Sequence, residues 1–216
     1  MKRIFDVVVS GLALAALWPW FLVIAVWIRL DSRGPVFFRQ ERVGRGGRLF
    51  RVHKFRTMDV EAEGRRRPLT AEGDSSVTQA GRSLRRFKLD ELPQLIDVFT
   101  GHMSLVGPRP EVPKYVALYA DDVRRLVLSV RPGITDVASI RFRDENRILA
   151  EASDPEFEYF NTILPIKLAY AKAYVQQRSF WGDLRILLET LRVLYFGAAP
   201  RQAEIDPASG KSATEG

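Results

Sequence analysis

The stretch Val7-Val8-Val9-Ser10-Gly11-Leu12-Ala13-Leu14-Ala15-Ala16-Leu17-Trp18-Pro19-Trp20-Phe21-Leu22-Val23-Ile24-Ala25-Val26-Trp27-Ile28 contains no charged residue. As a helix rising about 1.5 Å per residue it spans roughly 33 Å, enough to reach across a bilayer. Two features complicate a simple crossing. Cations flank both ends, with Lys2 and Arg3 before the run and Arg29, Arg33, Arg39 and Arg42 after it, so a straight span leaves one group on the disfavoured side. Pro19 lies near the middle, where its missing N–H and its ring break or kink a helix at about 3 kcal/mol. From the residues alone, a helix that bends at Trp18-Pro19 and leaves by the face it entered competes with an ordinary kinked transmembrane helix. Ala13-Leu14-Ala15 looks like a signal-peptide cleavage site but falls inside the apolar run, so the segment is expected to be retained.

The chain has 216 residues, a formal charge of +7, a pI near 9.9 and no cysteine. That length holds one domain with a real core plus appendages. The charge selects anionic partners such as phosphorylated molecules, an acidic membrane or nucleic acid; no recognisable nucleic-acid module accompanies it, so no nucleic acid is expected. Without cysteine, and with only His53 and His102, disulfide scaffolds and structural zinc sites are ruled out as organising devices.

Beyond the apolar run, Val36-Phe37-Phe38 and Leu49-Phe50-Arg51-Val52 read as two strands joined by a glycine-rich tip at Gly44-Arg45-Gly46-Gly47. No helix pattern follows that tip, so it is not a phosphate loop. Lys54 and Arg56 then bring two cations next to Thr57. Residues 59 to 80, with Arg65-Arg66-Arg67, read as a surface loop. The sequence Lys88-Leu89-Asp90-Glu91-Leu92-Pro93-Gln94-Leu95 sets two carboxylates after Arg82, Arg85 and Arg86 and before Gly107-Pro108-Arg109-Pro110. Such a setting suits phosphate chemistry, although Asp90 also fits the cap of a helix with Pro93 in its first turn. Consecutive helical residues point about 100° apart, so the two acids cannot act at one point. Further on, helices are expected over 111–130, over 157–176 with a bend at Pro165, and over 180–196, with a short strand over 137–142. Residues 198–216 read as a disordered tail.

Taken in order, Lys2-Arg3-Ile4-Phe5-Asp6, the apolar run with Pro19, Gly34 to Gln40, Lys54 to Met58, Leu89 to Leu95, Met103 to Pro110 and Arg131-Pro132-Gly133-Ile134-Thr135 resemble the monotopic phosphoglycosyl transferases of the bacterial sugar transferase type. The resemblance implies an α+β, mostly helical fold. Residues 1–30 would form a re-entrant membrane helix broken at Pro19, and 31–197 a small β-hairpin with a compact helical catalytic domain at the cytoplasmic face of the bacterial inner membrane. It implies transfer of a sugar 1-phosphate from a UDP-sugar to polyprenyl (undecaprenyl) phosphate, with release of UMP, as the opening step of a surface glycan such as an exopolysaccharide. Asp90 would be the nucleophile that forms an aspartyl phosphosugar, and Glu91 would serve the metal or activate the acceptor. Magnesium would be held by Asp90 and Glu91, and phosphates by Lys54, Arg56, Arg85, Arg109 and Arg131. Membrane lipid is an expected partner, and a homodimer is compatible with the resemblance. Asp136 stands where glycine is common in that family, which predicts an altered turn there; Trp18, Asp97 and His102 are further departures. The rival reading is a noncatalytic membrane-anchored adaptor that binds anionic lipid or protein, which would need no acid pair beside Arg85 and Arg109.

Overall fold

A computed structural model describes residues 1–59, 76–142, 149 and 152–196, the side chain of Tyr195 excepted; the tail 198–216 and the Arg65-Arg66-Arg67 segment lie outside the described residues. The fold is mostly helical with two small sheets.

The first element, α1, is one helix from Lys2 to Asp31, and its most apolar window has a mean hydropathy of 2.2. The expected break at Pro19 is not seen, since the helix runs through it. Leu17 and Phe21, on either side of the proline, pack into the domain, and such packing offsets the roughly 3 kcal/mol that a mid-helix proline costs. Both ends of α1 are tied to the same domain. At the start, Lys2 Nζ donates to Val106 O at 3.0 Å and pairs with Asp183, while Arg3 donates to Val98 O at 2.6 Å and Phe99 O at 2.9 Å. Buried Asp6 accepts from Ser104 Oγ at 2.8 Å and from Leu105 N at 3.2 Å. At the other end, Arg56 donates to the carbonyls of Ser32, Arg33 and Pro35 at 2.7 to 2.8 Å. Between these anchors Trp18 and Trp20 stand exposed.

Strands β1 (Phe37–Val43) and β2 (Leu49–Phe55) form the expected antiparallel hairpin, in register from Phe37↔Phe55 to Val43↔Leu49. Helix α2 (Gln79–Arg86) is capped by Thr78, whose Oγ1 accepts from Gly81 N at 3.0 Å. A Cβ on Gly81 would sit 2.1 Å from Thr57 O, so the bare glycine lets α2 lie directly on the end of β2. A 3-10 turn at Leu89–Glu91 leads to α3 (Gln94–Thr100). Asp97 binds α3 to the hairpin, its carboxylate accepting from His53 N at 2.8 Å and meeting His53 Nδ1 at 2.7 Å.

Strand β3 (Ser104–Val106) pairs in parallel with β4 (Gly133–Thr135). The crossing admits no side chain: a Cβ on Gly133 would meet Gly107 N at 2.1 Å. Two expectations are corrected in this region. The helix expected over 111–130 is two helices, α4 (Pro113–Val116) and α5 (Asp121–Val127). Burial of Tyr115, Val116 and Tyr119 in one cluster with Tyr159 turns the chain between them. The strand expected over 137–142 is instead the helix α6 (Val137–Arg141), started by Asp136, whose Oδ1 accepts from Ser139 N at 2.7 Å. Asp136 is extended, with φ −154°, so this turn needs no glycine.

The chain ends with α7 (Pro155–Glu158), a widened π turn at Tyr159–Ile163, α8 (Leu164–Gln177) and α9 (Phe180–Phe196). The π turn comes just before Pro165, the position where a bend is expected from the sequence. Tyr174 and Asp183 join α8, α9 and α1, with Tyr174 Oη 2.8 Å from Asp183 Oδ1.

Candidate active site

The acid pair sits where α2 gives way to the 3-10 turn. Lys88 makes the junction with φ 55° and ψ 21°, the one non-glycine residue with positive φ among those described. This left-handed step costs about 1–2 kcal/mol, and such strain is typical of functional sites. It ends α2 and swings Asp90 and Glu91 toward a cavity of about 790 Å³ that also receives Lys54, Thr57, Arg85 and Arg109.

The two carboxylates have opposite surroundings. Glu91 Oε1 accepts from Lys54 Nζ at 2.7 Å, and both its oxygens accept from the Arg109 guanidinium, one of them at 3.1 Å. Such forked contacts match the planar donors of arginine. Burial alone would raise the Glu91 carboxyl, but Arg109 and Lys54 outweigh it and hold the group well below the usual carboxylate range. Asp90 is also buried, yet its Oδ1 has no hydrogen-bond partner. Burial pushes this carboxyl up, with the neighbouring Glu91 charge acting the same way; Lys54, Lys88 and Arg85 pull it back without winning. The Asp90 side chain therefore makes no cap bond, and α3 starts at Gln94 after Pro93 with no side-chain cap.

Each cation is aimed by its own element. Lys54 comes from β2, and Arg85, in the last turn of α2, donates from Nε to Thr57 Oγ1 at 2.9 Å. Arg109 follows the tight β3–β4 crossing, and its backbone N–H donates to Asp136 Oδ2 at 3.3 Å. The Met103–Pro110 and Arg131–Thr135 motifs therefore meet in space to present one guanidinium.

A family model described as bacterial sugar transferase matches residues 1–197. The chain belongs to the bacterial sugar transferase family. Among its curated relatives, an Aeromonas hydrophila UDP-N-acetylgalactosamine-undecaprenyl-phosphate N-acetylgalactosaminephosphotransferase is 34% identical over 93% of this chain and 45% of its own length. UDP-glucose:undecaprenyl-phosphate glucose-1-phosphate transferases from Xanthomonas campestris pv. campestris and Caulobacter vibrioides are 38% and 36% identical over 89% and 88% of this chain. The match covers 38% of the Xanthomonas protein and 68% of the Caulobacter one. The chain thus spans less than half the length of the first two relatives.

Within this family member, Asp90, Glu91, Lys54, Arg85 and Arg109 line one cavity, whereas Arg56 and Arg131 do not. Arg56 is buried against the carbonyls that follow α1, and Arg131 donates from Nε to Gly101 O at 2.8 Å. The sequence reading had not singled out Gln40 and Arg42 of β1, nor Glu111, which line the cavity too. Arg42 donates to Pro110 O at 3.1 Å and to Gln40 Oε1 at 2.6 Å, while Glu111 accepts from Tyr159 Oη at 2.7 Å. Their signal was present: Phe38, Gln40 and Arg42 alternate along the strand, and that period of two puts them on one face. Among the described residues, no group of three or more histidine or acidic side chains is arranged to hold a metal.

Proposed function

We propose that the chain transfers a sugar 1-phosphate from a UDP-sugar to a polyprenyl phosphate, through a covalent intermediate on Asp90. One observation carries this reading: Asp90, a buried carboxylate whose Oδ1 has no hydrogen-bond partner, lines a cavity that also receives Lys54, Arg85 and Arg109. An adaptor has no use for such a costly group, whereas a nucleophile needs its lone pair free. The names of the relatives, which act with UDP-glucose or UDP-N-acetylgalactosamine on undecaprenyl phosphate, point the same way.

In the first step a carboxylate oxygen of Asp90 attacks the phosphorus that bears the sugar. The bond from that phosphorus to the bridging diphosphate oxygen breaks, and UMP leaves with the electron pair. In the second step a phosphate oxygen of the acceptor attacks the same phosphorus, the aspartyl P–O bond breaks, and the carboxylate returns. Because both steps bring an anion to an anion, Arg85, Lys54 and Arg109 hold the phosphate oxygens and offset the charge. Glu91, held ionised by two cations, is a poor base; it positions Arg109 and Lys54.

The residues also fit magnesium, which commonly takes one or two carboxylates and completes its shell with water and substrate phosphates. Asp90 and Glu91 would hold it, Glu91 by sharing oxygens with its cations. Bound there, it would neutralise diphosphate charge.

We further read residues 1–30 as a monotopic membrane element with both ends on one side, and the remainder of the match as a catalytic domain at the cytoplasmic face of the bacterial inner membrane. The support is that both ends of α1 bond to one domain and both carry cations, which favours both ends on the cytoplasmic side. The test is UMP release by the purified protein in detergent with magnesium, undecaprenyl phosphate and a panel of UDP-sugars. At least one donor should give UMP and a lipid-linked sugar, and Asp90→Asn should give neither. Well-folded protein inert toward every donor would overturn the reading.

A further inference from the structure

The cavity that holds Asp90 has a second pole which the chemistry above does not use. Besides the cations, its lining includes Val9 of α1 and a row of leucines along α9, among them Leu184, Leu187, Leu188 and Leu191. Two parts of this wall line the cavity and yet stand open: Phe87 is 60% exposed, and Leu188 and Leu191 are 59% and 51% exposed. The cavity therefore has an apolar mouth between the end of α2 and the middle of α9. Phe87 immediately precedes Lys88, so this lip adjoins the cationic pole. The mouth also opens onto exposed apolar surface, since α9 carries Trp181 and Phe196 outward at its two ends.

We propose that this mouth is a lateral portal through which the acceptor lipid enters phosphate first, leaving its isoprenoid tail between Phe87 and the Leu188–Leu191 face of α9. The proposal rests on the function proposed above and locates one substrate within it. A UDP-sugar is polar throughout and gains nothing from a leucine wall. A polyprenyl phosphate has one anionic head and a long hydrocarbon tail, which match a cavity cationic at one pole and apolar at the other. The cavity also touches Val9 of the apolar helix α1, the element beside which such a tail would arrive from a bilayer.

The test is photocrosslinking of the full chain in phospholipid nanodiscs containing undecaprenyl phosphate, with Leu188→p-benzoylphenylalanine and Leu191→p-benzoylphenylalanine. Leu118, exposed and outside the cavity lining, takes the same replacement as a control. Adducts with labelled undecaprenyl phosphate at 188 and 191, suppressed by excess unlabelled undecaprenyl phosphate and absent at 118, are expected. Adducts with phospholipid alone, or no lipid adduct, overturn the portal. Should the bulky variants fail to fold, Leu188→Gln provides the second reading: the KM for undecaprenyl phosphate should rise about tenfold with little change in kcat, less than the full effect of removing one leucine from hydrocarbon contact. An unchanged KM overturns the proposal. Exchange of label between UMP and a UDP-sugar, measured on the unaltered chain without acceptor, reports the aspartyl intermediate separately. Exchange without an acceptor adduct sinks the portal alone, and no exchange with any UDP-sugar sinks both.

Discussion

Arg109 grips both oxygens of Glu91, while Oδ1 of the adjacent Asp90 is buried without a hydrogen-bond partner. Neighbours in sequence, the two acids are thus divided into one that holds cations and one that is left reactive. The second arrangement is costly to the fold, since a buried carboxylate without hydrogen bonds is destabilising.

Asp90→Asn should therefore stabilise the protein at neutral pH while abolishing turnover. The expected gain is about 1–2 kcal/mol, which for a chain of this size is about 2–4 °C in Tm per kcal/mol. The gain has a pH signature. The folded Asp90 carboxyl is raised, so it favours folding in its neutral form at low pH, and that contribution is lost as pH rises through the folded value. Melting curves of the two proteins should converge in acid and separate toward neutrality. A difference independent of pH would assign the effect to shape and not to charge.

The same shift sets the acid limb of the first chemical step. In the proposed mechanism only ionised Asp90 attacks, so acceptor-independent UMP–UDP-sugar exchange should fall, as pH drops, through a midpoint above the roughly 3.9 of an ordinary aspartate. Arg85 helps to hold the ionised form. Arg85→Ala should accordingly move the limb further up, and Arg85→Lys should return part of the shift. A limb at or below the ordinary value would contradict the buried setting. Glu91 runs in the opposite sense: its stabilising contribution is present above its unfolded pKa and lost as pH falls through its depressed folded value.

Gly133→Ala should damage the site from outside it. The new Cβ would meet Gly107 N at 2.1 Å, so β3 and β4 must separate and strain the bonds Gly107 N to Thr135 O and Gly133 N to Pro108 O. The expected stability loss is about 3 kcal/mol. The turn carrying Arg109 shifts with the strands, and a displacement near 1 Å lowers kcat/KM about 100-fold. Thermal melting and UMP release check the two effects. An active, undisturbed Gly133→Ala protein would show that the crossing does not aim Arg109.

Patterns of period two and of helical spacing made the hairpin and the last two helices legible in the sequence, because those elements bury one face each. The β3–β4 pair was not legible. Its strands are three residues long, β3 buried throughout and β4 half-buried at Ile134, too short for an alternation to be read. The expected strand over 137–142 failed because a single cap bond from Asp136 to Ser139 N commits the segment to a helix. The acid pair and Arg109 were visible as motifs, but charge alone could not separate cations that face a cavity from those that serve the backbone. Arg56 and Arg131 look like phosphate ligands in sequence and instead satisfy carbonyls.

The anchoring of α1 also bears on the order of synthesis. Arg3 waits for Val98, 95 positions later, and Lys2 for Asp183, 181 positions later. At about 5–20 residues per second on the ribosome, the second interval is roughly 10 to 40 seconds. For roughly the first half of that time the most apolar segment of the described chain lacks even Val98 and Ser104, the earlier partners of its start. On the membrane reading proposed above, the helix would meet lipid before it meets its own domain, and the domain would be completed by closing onto a segment already in place.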